Sequence, residues 1–202
     1  MKLFYSPPSP FSRKARIVAA VLGFGPRLEL VTADTLNPAD VIRQKNPLGK
    51  IPVLETDEGA SIYDSAVIVA YLDDLAGGGR VIPRDFQARY EALTLEALAD
   101  GMTEASVLQI YETRMRAENE RSANWVAHQK GKVSRALAQL EAAPPPSGFA
   151  GGVPSVGAIA LACALGYLDL RFEGAWRSDH PKLVAWLDAF SAAIPAFGAT
   201  AA

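Results

Sequence analysis

The sequence contains very little cysteine and histidine. Its 202 residues include one cysteine, Cys163, and two histidines, His128 and His180. One cysteine cannot form a disulfide within the chain, a CxxC redox pair or a cysteine-rich zinc site. Two isolated histidines offer no ligand cluster for a metal ion. We therefore expect no bound metal, and we expect Cys163, which lies among Ala, Leu and Gly, to be a small core residue.

An excess of one charge and a long apolar run are also missing. Lys plus Arg total 20 and Asp plus Glu total 22, so the net charge is -2. Without a strongly positive field, neither nucleic acid nor an anionic membrane surface is an expected partner. The longest uncharged apolar stretch, residues 156–168, is shorter than the roughly 18 residues of a membrane span and predicts a buried helix. Because residues 1–5 have a strand pattern and not that of a signal segment, we expect a cytoplasmic protein.

The first 76 residues alternate between strand and helix patterns. Apolar and polar residues alternate in the strand-like segments, whereas apolar residues recur every three to four positions in the helical ones. The predicted elements are strand Lys2–Tyr5, helix Pro10–Leu22, strand Arg27–Val31, short helix Asn37–Lys45, hairpin strands Pro52–Glu55 and Ala60–Ile62, and helix Asp64–Leu75. This order predicts a small α/β domain with helices packed on a mixed sheet.

The second part of the chain has helical patterns only. It begins after Gly77–Gly79, because three glycines in a row end the preceding helix. The predicted helices are 86–116, 118–140, 155–170 and 181–193, the last of the chain, with a Pro/Gly loop over 142–154. Trp125 is expected on the apolar face of the second helix. Ala97, Gly101 and Ala105 recur every four residues on the first helix, and this small-residue stripe allows another helix to approach closely. We expect an all-α domain here.

The segment after the first strand carries the first group of chemically useful residues. Ser9 before Pro10 is a strong helix start, with serine as N-cap and proline at the first helical position. A helix N-terminus also attracts anions, and a hydroxyl there favours ionisation of a ligand thiol, whose free pKa is about 8.5. We expect the capping role and the thiolate role to compete for the one hydroxyl. The basic residues Arg13, Lys14 and Arg16 are expected on a solvated face.

A second segment, Asn46–Leu54, places a proline at the start of an apolar strand. An X-Pro bond is cis in only about 5–6% of cases, so the Ile51–Pro52 dipeptide by itself favours trans. In the cis form, the backbone N–H and C=O of Ile51 are turned outward. They are then free to pair with a peptide-like ligand, as in the addition of a strand.

The third segment is Tyr63-Asp64-Ser65, at the start of a helix. Either Asp64 or Ser65 suits an N-cap, and a plain capping role is the simpler interpretation. The free N–H groups of the helix start and the Ser65 hydroxyl also suit a carboxylate, while Asp64 suits an ammonium group. A ligand end that carries both charges, such as an α-amino acid, fits this pair.

Together, in this order and spacing, the three segments resemble the glutathione-binding segments of the cytosolic-type glutathione transferase superfamily. The matching stretches are Ser9–Arg16 (SPFSRKAR), Asn46–Leu54 (NPLGKIPVL) and Tyr63–Ser65 (YDS). Residues 96–101, 164–171 and 180–186 extend the resemblance through the helical half, which is most similar to a bacterial subgroup, here of the serine type. The resemblance implies a thioredoxin-like glutathione-binding domain over 1–78. An all-helical domain over 84–202 would contribute the second-substrate pocket.

The resemblance also implies a role for each matching residue, with glutathione as co-substrate and no other cofactor. Tyr5 is a competing hydroxyl, because some branches use an early tyrosine, but its place within the strand favours Ser9. Tyr111 and Arg114 fall where the family's second-substrate pocket tends to lie. The implied roles are Ser9 as the catalytic thiolate stabiliser, Phe11 at the mouth of the site, Lys50 near the glycyl carboxylate, the backbone of Ile51 paired with the cysteinyl part, Pro52 as the cis proline, and Asp64 and Ser65 at the γ-glutamyl end.

The implied reaction joins the glutathione thiolate to an electrophilic carbon of a small hydrophobic co-substrate in a homodimeric enzyme. Isomerisation or peroxide reduction with the same thiolate stays open, as does a non-catalytic glutathione transferase-like binding or regulatory protein. One departure from the family pattern lies at the start of the buried helix. Ser155 still suits an N-cap there, but Ala158 cannot complete a capping box.

Overall fold

The computed structural model describes residues 1–148 and 152–202. The first part of the chain forms a four-stranded mixed sheet with the strand order β2-β1-β3-β4. Strand β1 pairs in parallel with β2 and antiparallel with β3, which pairs antiparallel with β4. The strands are β1 Lys2–Tyr5, β2 Glu29–Thr32, β3 Val53–Glu55 and β4 Ser61–Ile62. The predicted α/β domain with a mixed sheet is confirmed.

The described helices and their bounds agree closely with the sequence pattern in most places. They are α1 Pro10–Val21, α2 Ile42–Lys45, α3 Ser65–Leu75, α4 Phe86–Arg114, α5 Ala123–Ala142, α6 Val156–Phe172, α7 Pro181–Ala193 and α8 Pro195–Ala199. After α3, the elements within the described residues are helices or single 3-10 turns. The predicted succession of an α/β part and a helical part is therefore confirmed. Part of the predicted loop over 142–154 lies outside the described residues.

Several boundaries differ from the prediction for local reasons. The segment predicted as one helix from 118 begins with a 3-10 turn, and α5 starts only at Ala123 because Ser122 caps it, accepting from the N–H of Trp125 at 3.2 Å. Trp125 therefore lies in the first turn and is exposed, not in the core. The prediction that α7 is the last helix is wrong, since Pro195 starts a further short helix.

The two faces of the sheet pack into two separate hydrophobic clusters. Leu3 and Leu54 point to the side of α1 and α3 and belong to the main core, which continues into the helical part. Phe4 and Val53 point to the opposite side and form a small cluster with Ile42 of α2. Successive residues of a strand alternate between faces, so this division follows directly from the strand register.

Helix α6 runs through the centre of the molecule. All its residues from Val156 to Leu165 are buried, which confirms the prediction of a helix covered on all sides. Gly157 allows α4 to approach closely, because a Cβ there would lie 2.5 Å from the carbonyl oxygen of Ala92. The cap is made as expected, with Ser155 Oγ accepting from the N–H of Ala158 at 3.3 Å.

The expected solvated basic face of α1 is wrong for Lys14. Its ammonium is almost fully buried and donates to Glu96 at 2.9 Å and to Asp100 at 2.6 Å, both on α4. Burial alone lowers the pKa of Lys14, but Asp100 and Glu96 outweigh burial and the pKa is raised. These three residues, the Lys14 cluster, connect the α/β part to the helical part. Helical spacing carries Lys14 to the buried side of α1, and α4 supplies the acids that make burial tolerable.

The small-residue stripe on α4 is only partly exposed. Ala97 and Gly101 face solvent, whereas Ala105 is buried in the core. Residues four apart advance by about 40° beyond a full helical turn, so a stripe with this spacing turns slowly around the helix. Along α4 that rotation carries Ala105 towards the interior.

Candidate functional site

The strand ends that carry the three segments singled out from the sequence lie at one edge of the sheet. Strand β1 ends where β3 begins, since Phe4 pairs with Val53 in an antiparallel register. Strand β4 ends at the same edge, because Leu54 pairs with Ile62. The residues flanking the strands on this edge, Ile51 and Tyr63, pack against the same small cluster. Strand pairing therefore assembles residues that are far apart in the sequence.

Ser9 is the N-cap of α1, and its hydroxyl can still donate a hydrogen bond. Its Oγ accepts a hydrogen bond from the N–H of Ser12 at 3.2 Å, while its own N–H donates to Ser6 O at 3.0 Å. A serine hydroxyl both donates and accepts. Because the cap uses only the acceptor side, the hydroxyl proton stays free to donate to a ligand. The cap itself therefore leaves a donor for a ligand, and the thiolate role of Ser9 stays a prediction.

Tyr5 lies in a different environment from Ser9. Its ring packs against the main core on the helix side of the sheet, with the guanidinium of Arg16 at 5.2 Å from the ring centroid. Ser9 is half-buried and lines a cavity beside the N-terminus of α1. Of the two candidate hydroxyls, the geometry favours that of Ser9 for a ligand in this cavity.

The segment that carries Ile51 and Pro52 is held by a buried asparagine. Asn46 donates through Nδ2 to Lys50 O at 3.0 Å, and its Oδ1 accepts from the N–H of Leu48 at 3.0 Å. The Ile51–Pro52 peptide bond is cis. Ile51 stands before β3, whose pairing with β1 begins at Val53. The sequence analysis included Asn46 in this segment but did not predict its holding role, although an Asn-Pro pair that opens a turn is a usable signal.

Asp64 and Ser65 take the positions at the start of α3 that the sequence left open. Asp64 is the N-cap, with Oδ1 accepting from the N–H of Ala66 at 3.1 Å, and Ser65 is the first helical residue. Asp64 is exposed and Ser65 is buried. The carboxylate of Asp64 also acts on Asp100, whose pKa is raised first by burial and further by Asp64, against the opposing effect of Lys14. The third segment thus lies close to the Lys14 cluster.

A cavity of about 380 Å³ lies beside Ser9. Its lining comes from the loop before α1, from α1 itself, from the second half of α6 and from the C-terminal segment. The lining residues are Pro7, Pro8, Ser9, Pro10, Arg13, Cys163, Gly166, Tyr167, Asp169, Leu170, Phe197, Ala201 and Ala202. Phe11 is half-buried in the first turn of α1, and Lys50 is exposed.

The expected second-substrate residues on α4 are not lining residues of this cavity, but they act electrostatically on one of them. Burial raises the pKa of Tyr167, while the charges of Arg171 and Arg114 oppose this effect and Tyr111 adds to it. The C-terminal end of α4 thus lies within electrostatic range of Tyr167. Tyr111 and Arg114 are themselves exposed.

Cys163 lines this cavity as a buried thiol. Burial raises its pKa to about 12, and the opposing charge of Arg13 is too weak to offset this. A thiol with such a pKa stays protonated at neutral pH, and the thiolate is the reactive form. Its environment fits the expected role as a small core residue. Any thiol chemistry at Ser9 therefore depends on a thiol brought by the ligand.

Two further properties concern the whole described part of the chain. Over residues 1–148 and 152–202, no group of three or more His, Cys, Asp or Glu side chains is placed to hold a metal ion. In the same residues no helix combines the length and the apolar character that crossing a membrane requires.

Two domain families match the chain, and a relative of similar length supports the match. The family "Glutathione S-transferase, N-terminal domain" matches residues 3–80, and "Glutathione S-transferase, C-terminal domain" matches residues 123–189. An uncharacterized GST-like protein of Escherichia coli, YibF, is 34% identical over 185 residues, which are 91% of this chain and 90% of that protein. Both halves of the sequence thus point to one family.

Solved structures agree with this relationship. A glutathione transferase family member from Pseudomonas fluorescens with bound glutathione is 43% identical, with a TM-score of 0.89 over 99% of this chain and 98% of that one. The structure of this family member with bound S-(propanoic acid)-glutathione has a TM-score of 0.86, at the same identity and coverage. With its sheet, its helical part and its three segments at one sheet edge, the chain belongs to the cytosolic glutathione S-transferase superfamily.

Proposed function

We propose that this protein is a serine-type glutathione transferase that joins the thiolate of glutathione to a small hydrophobic electrophile. The observation that carries the proposal is the position of Ser9. Its hydroxyl caps α1 as an acceptor, can still donate a hydrogen bond, and Ser9 lines a cavity next to the helix N-terminus. The complexes of the Pseudomonas fluorescens relative with glutathione and with S-(propanoic acid)-glutathione support a site that holds the tripeptide together with a substituent on its sulfur.

The chemistry follows from lowering the pKa of the glutathione thiol. The Ser9 hydroxyl donates to the sulfur, and the positive end of α1 stabilises the thiolate. The thiolate attacks an electrophilic carbon, a C–S bond forms, and the leaving group departs with its electron pair. Holding both reactants side by side at the N-terminus of α1 removes most of the entropic cost of their encounter.

The remaining positions of glutathione follow the three segments. The backbone of Ile51, before β3, pairs with the cysteinyl part, and the exposed Lys50 attracts the glycyl carboxylate. Ser65 and the free N–H groups at the start of α3 bind the γ-glutamyl carboxylate. The exposed carboxylate of Asp64 pairs with the ammonium group. Phe11, in the first turn of α1, borders the mouth of the site.

The assembly we propose is a cytoplasmic homodimer of two-domain chains, with the domains over 1–78 and 84–202. The exposed residues Ala97 and Gly101 allow a second chain to approach α4 closely. At the N-terminal end of the same helix, Phe86 and Tyr90 are exposed and pack edge to face at 4.9 Å between ring centroids. Exposed aromatic side chains of this kind are common in interfaces between subunits.

Isothermal titration with glutathione tests the binding site, and the Ser9→Ala variant tests the chemistry. We expect binding to persist in Ser9→Ala, while kcat/KM for a chlorodinitrobenzene falls about a hundredfold because the thiolate loses its donor. Ser134→Ala, an exposed serine of α5, is the matched control and should leave turnover unchanged.

Three outcomes separate the alternatives. Failure to bind millimolar glutathione would remove the basis of the proposal. Turnover that is unchanged by Ser9→Ala would show that another group activates the thiol. Binding without turnover over a broad panel of electrophiles and peroxides would favour the non-catalytic binding or regulatory protein.

A further inference from the structure

The cavity beside Ser9 contains a positive charge that the proposed reaction leaves unused. Ser9 and Arg13 are four residues apart, so their side chains share one face of α1, and both line the cavity. Arg13 is half-buried. A charge in this position, next to the sulfur site, acts on whatever second substrate enters.

The contacts of Arg13 hold it in place without neutralising it. Its Nη2 donates to Phe197 O at 2.6 Å and its Nε to Thr200 Oγ1 at 3.4 Å, while the guanidinium lies 3.9 Å from the centroid of the Phe197 ring. A guanidinium has five N–H donors, and both acceptors here are uncharged. Within the described part of the chain, no carboxylate lies within ion-pair distance of Arg13, and Nη1 makes no hydrogen bond.

The acidic lining residue is already paired. Both oxygens of Asp169 accept from Arg177, at 2.8 and 2.7 Å, and Oδ1 also accepts from Trp176 Nε1 at 2.9 Å. The carboxylate is thus compensated by its own arginine. A further guanidinium, that of Arg171, lies 5.8 Å from the ring centroid of the lining residue Tyr167. Arg13 thus lines the cavity without an ion-pair partner, and the charge of Asp169 acts on it only at longer range.

We propose that the second substrate of this site is an electrophile that carries a carboxylate, which Arg13 binds through its free N–H groups. This inference rests on the proposed transferase function and specifies its substrate class. A carboxylate accepts two parallel hydrogen bonds from a guanidinium. The cation between the carboxylate and the thiolate also lowers the repulsion between the two anions.

The reaction with such a substrate is balanced without a further reagent. With 4-chloro-3-nitrobenzoate, the thiolate attacks the carbon that bears chlorine, a C–S bond forms, the C–Cl bond breaks and chloride leaves with the electron pair. The carboxylate is unchanged and stays paired with Arg13. The cavity, about 380 Å³, lies in the usual size range for a ligand of this class.

The first experiment compares 4-chloro-3-nitrobenzoate with the corresponding uncharged benzamide. We expect the native protein to favour the acid in kcat/KM, and Arg13→Gln to lower the ratio of acid to amide about tenfold. Arg135→Gln removes the same charge from an exposed position on α5 and should leave the ratio unchanged. Equal rates for acid and amide in the native protein, or an equal loss of both in Arg13→Gln, would overturn the proposal.

A second variant keeps the charge and moves it. A Cβ at Gly166 would lie 2.6 Å from Arg13 Nη1, the far end of a flexible side chain. Gly166→Ala should therefore fold, with the guanidinium displaced, and we expect it to lower the acid-to-amide ratio without a comparable loss for the amide. A ratio that stays at the native value in a folded Gly166→Ala protein, despite a displaced guanidinium, would contradict the assignment to Arg13.

Binding without any thiol separates this inference from the proposed function. In isothermal titration without glutathione, we expect the acid to bind the native protein more tightly than the amide, and this preference to disappear in Arg13→Gln. If the preference is present but glutathione neither binds nor reacts, the transferase proposal fails and the anion site stands. If glutathione reacts with the amide as well as with the acid and the preference is absent, the transferase function stands and the anion site fails.

Discussion

Two neighbouring cations of helix α1 lie on different sides of the helix and differ in their ion pairing. On the side that meets α4, Lys14 is buried between Glu96 and Asp100 and its charge is fully compensated. On the side that meets α6 and the C-terminal segment, Arg13 contacts only uncharged acceptors and stays available to the cavity. Adjacent residues of one basic motif thus serve different purposes, one in holding the two parts of the chain together and one in facing a ligand.

The largest loss of stability should come from removing Lys14, the cation that is paired with two carboxylates. Lys14→Met leaves the buried carboxylate of Glu96 and the partly buried one of Asp100 without their counter-ion, and losing one partner of a buried ion pair costs about 3–5 kcal/mol. The free energy of unfolding in urea measures this loss. Lys132→Met, an exposed lysine on α5, is the matched control and should change stability little.

A double variant makes the comparison sharper. Replacing Lys14 by Met and Glu96 by Leu removes the cation and one buried acid together, so we expect it to be more stable than Lys14→Met alone. If Lys14→Met costs no more than the control, the Lys14 cluster does not hold the two parts of the chain together.

The next largest effect is a change of stability with pH that depends on Asp100. The pKa of Asp100 is raised above its usual 3.8, mainly by burial. In the window from 3.8 up to the raised value, the folded protein binds more protons than the unfolded chain, so Asp100 makes stability fall as pH increases. Relative to Asp100→Asn, the native protein should therefore lose stability across this window. Unfolding free energies of both proteins at several pH values test the sign, and an increase would contradict it.

The smallest effect on stability should come from replacing Arg13, the cation without an ion-pair partner. Arg13→Gln loses hydrogen bonds to Phe197 O and the Thr200 hydroxyl, and we expect a cost of about 1 kcal/mol because the acceptors are uncharged and accessible to replacement by water. Urea unfolding beside Lys14→Met gives the comparison directly. A cost for Arg13→Gln as large as that for Lys14→Met would mean that both sides of α1 are structural.

Much of the fold could be predicted because its signals are local. The serine-proline start of α1, the turn between β3 and β4, and the uniformly apolar sequence of α6 each depend on residues close together in the chain. The wrong predictions concern residues whose burial depends on tertiary contacts. Trp125 has helical core spacing but lies in the exposed first turn of α5, and Ala105 leaves the exposed stripe because the helix rotates it inward.

The candidate site was predictable in its parts and not in its environment. The segments around Ser9, Ile51 and Asp64 were identified from residue types and order, and their resemblance to a family supplied the expected roles. The fixed position of Asn46 in the second segment was missed, since its hydrogen bonds exist only when the loop is folded. The cavity beside Ser9 is lined largely by α6 and the C-terminal segment, more than 150 residues further along.

The sequence by itself determined the order of the elements, the helix start at Ser9, and the absence of a second cysteine that could support redox chemistry within the chain. Only the tertiary structure decided that Ser9 lies beside a cavity, that Lys14 is buried and that Arg13 has no ion-pair partner. The physical reason is that capping and periodicity are properties of neighbouring residues. Burial and charge compensation depend instead on α4, α6 and the C-terminal segment, which only folding brings to α1.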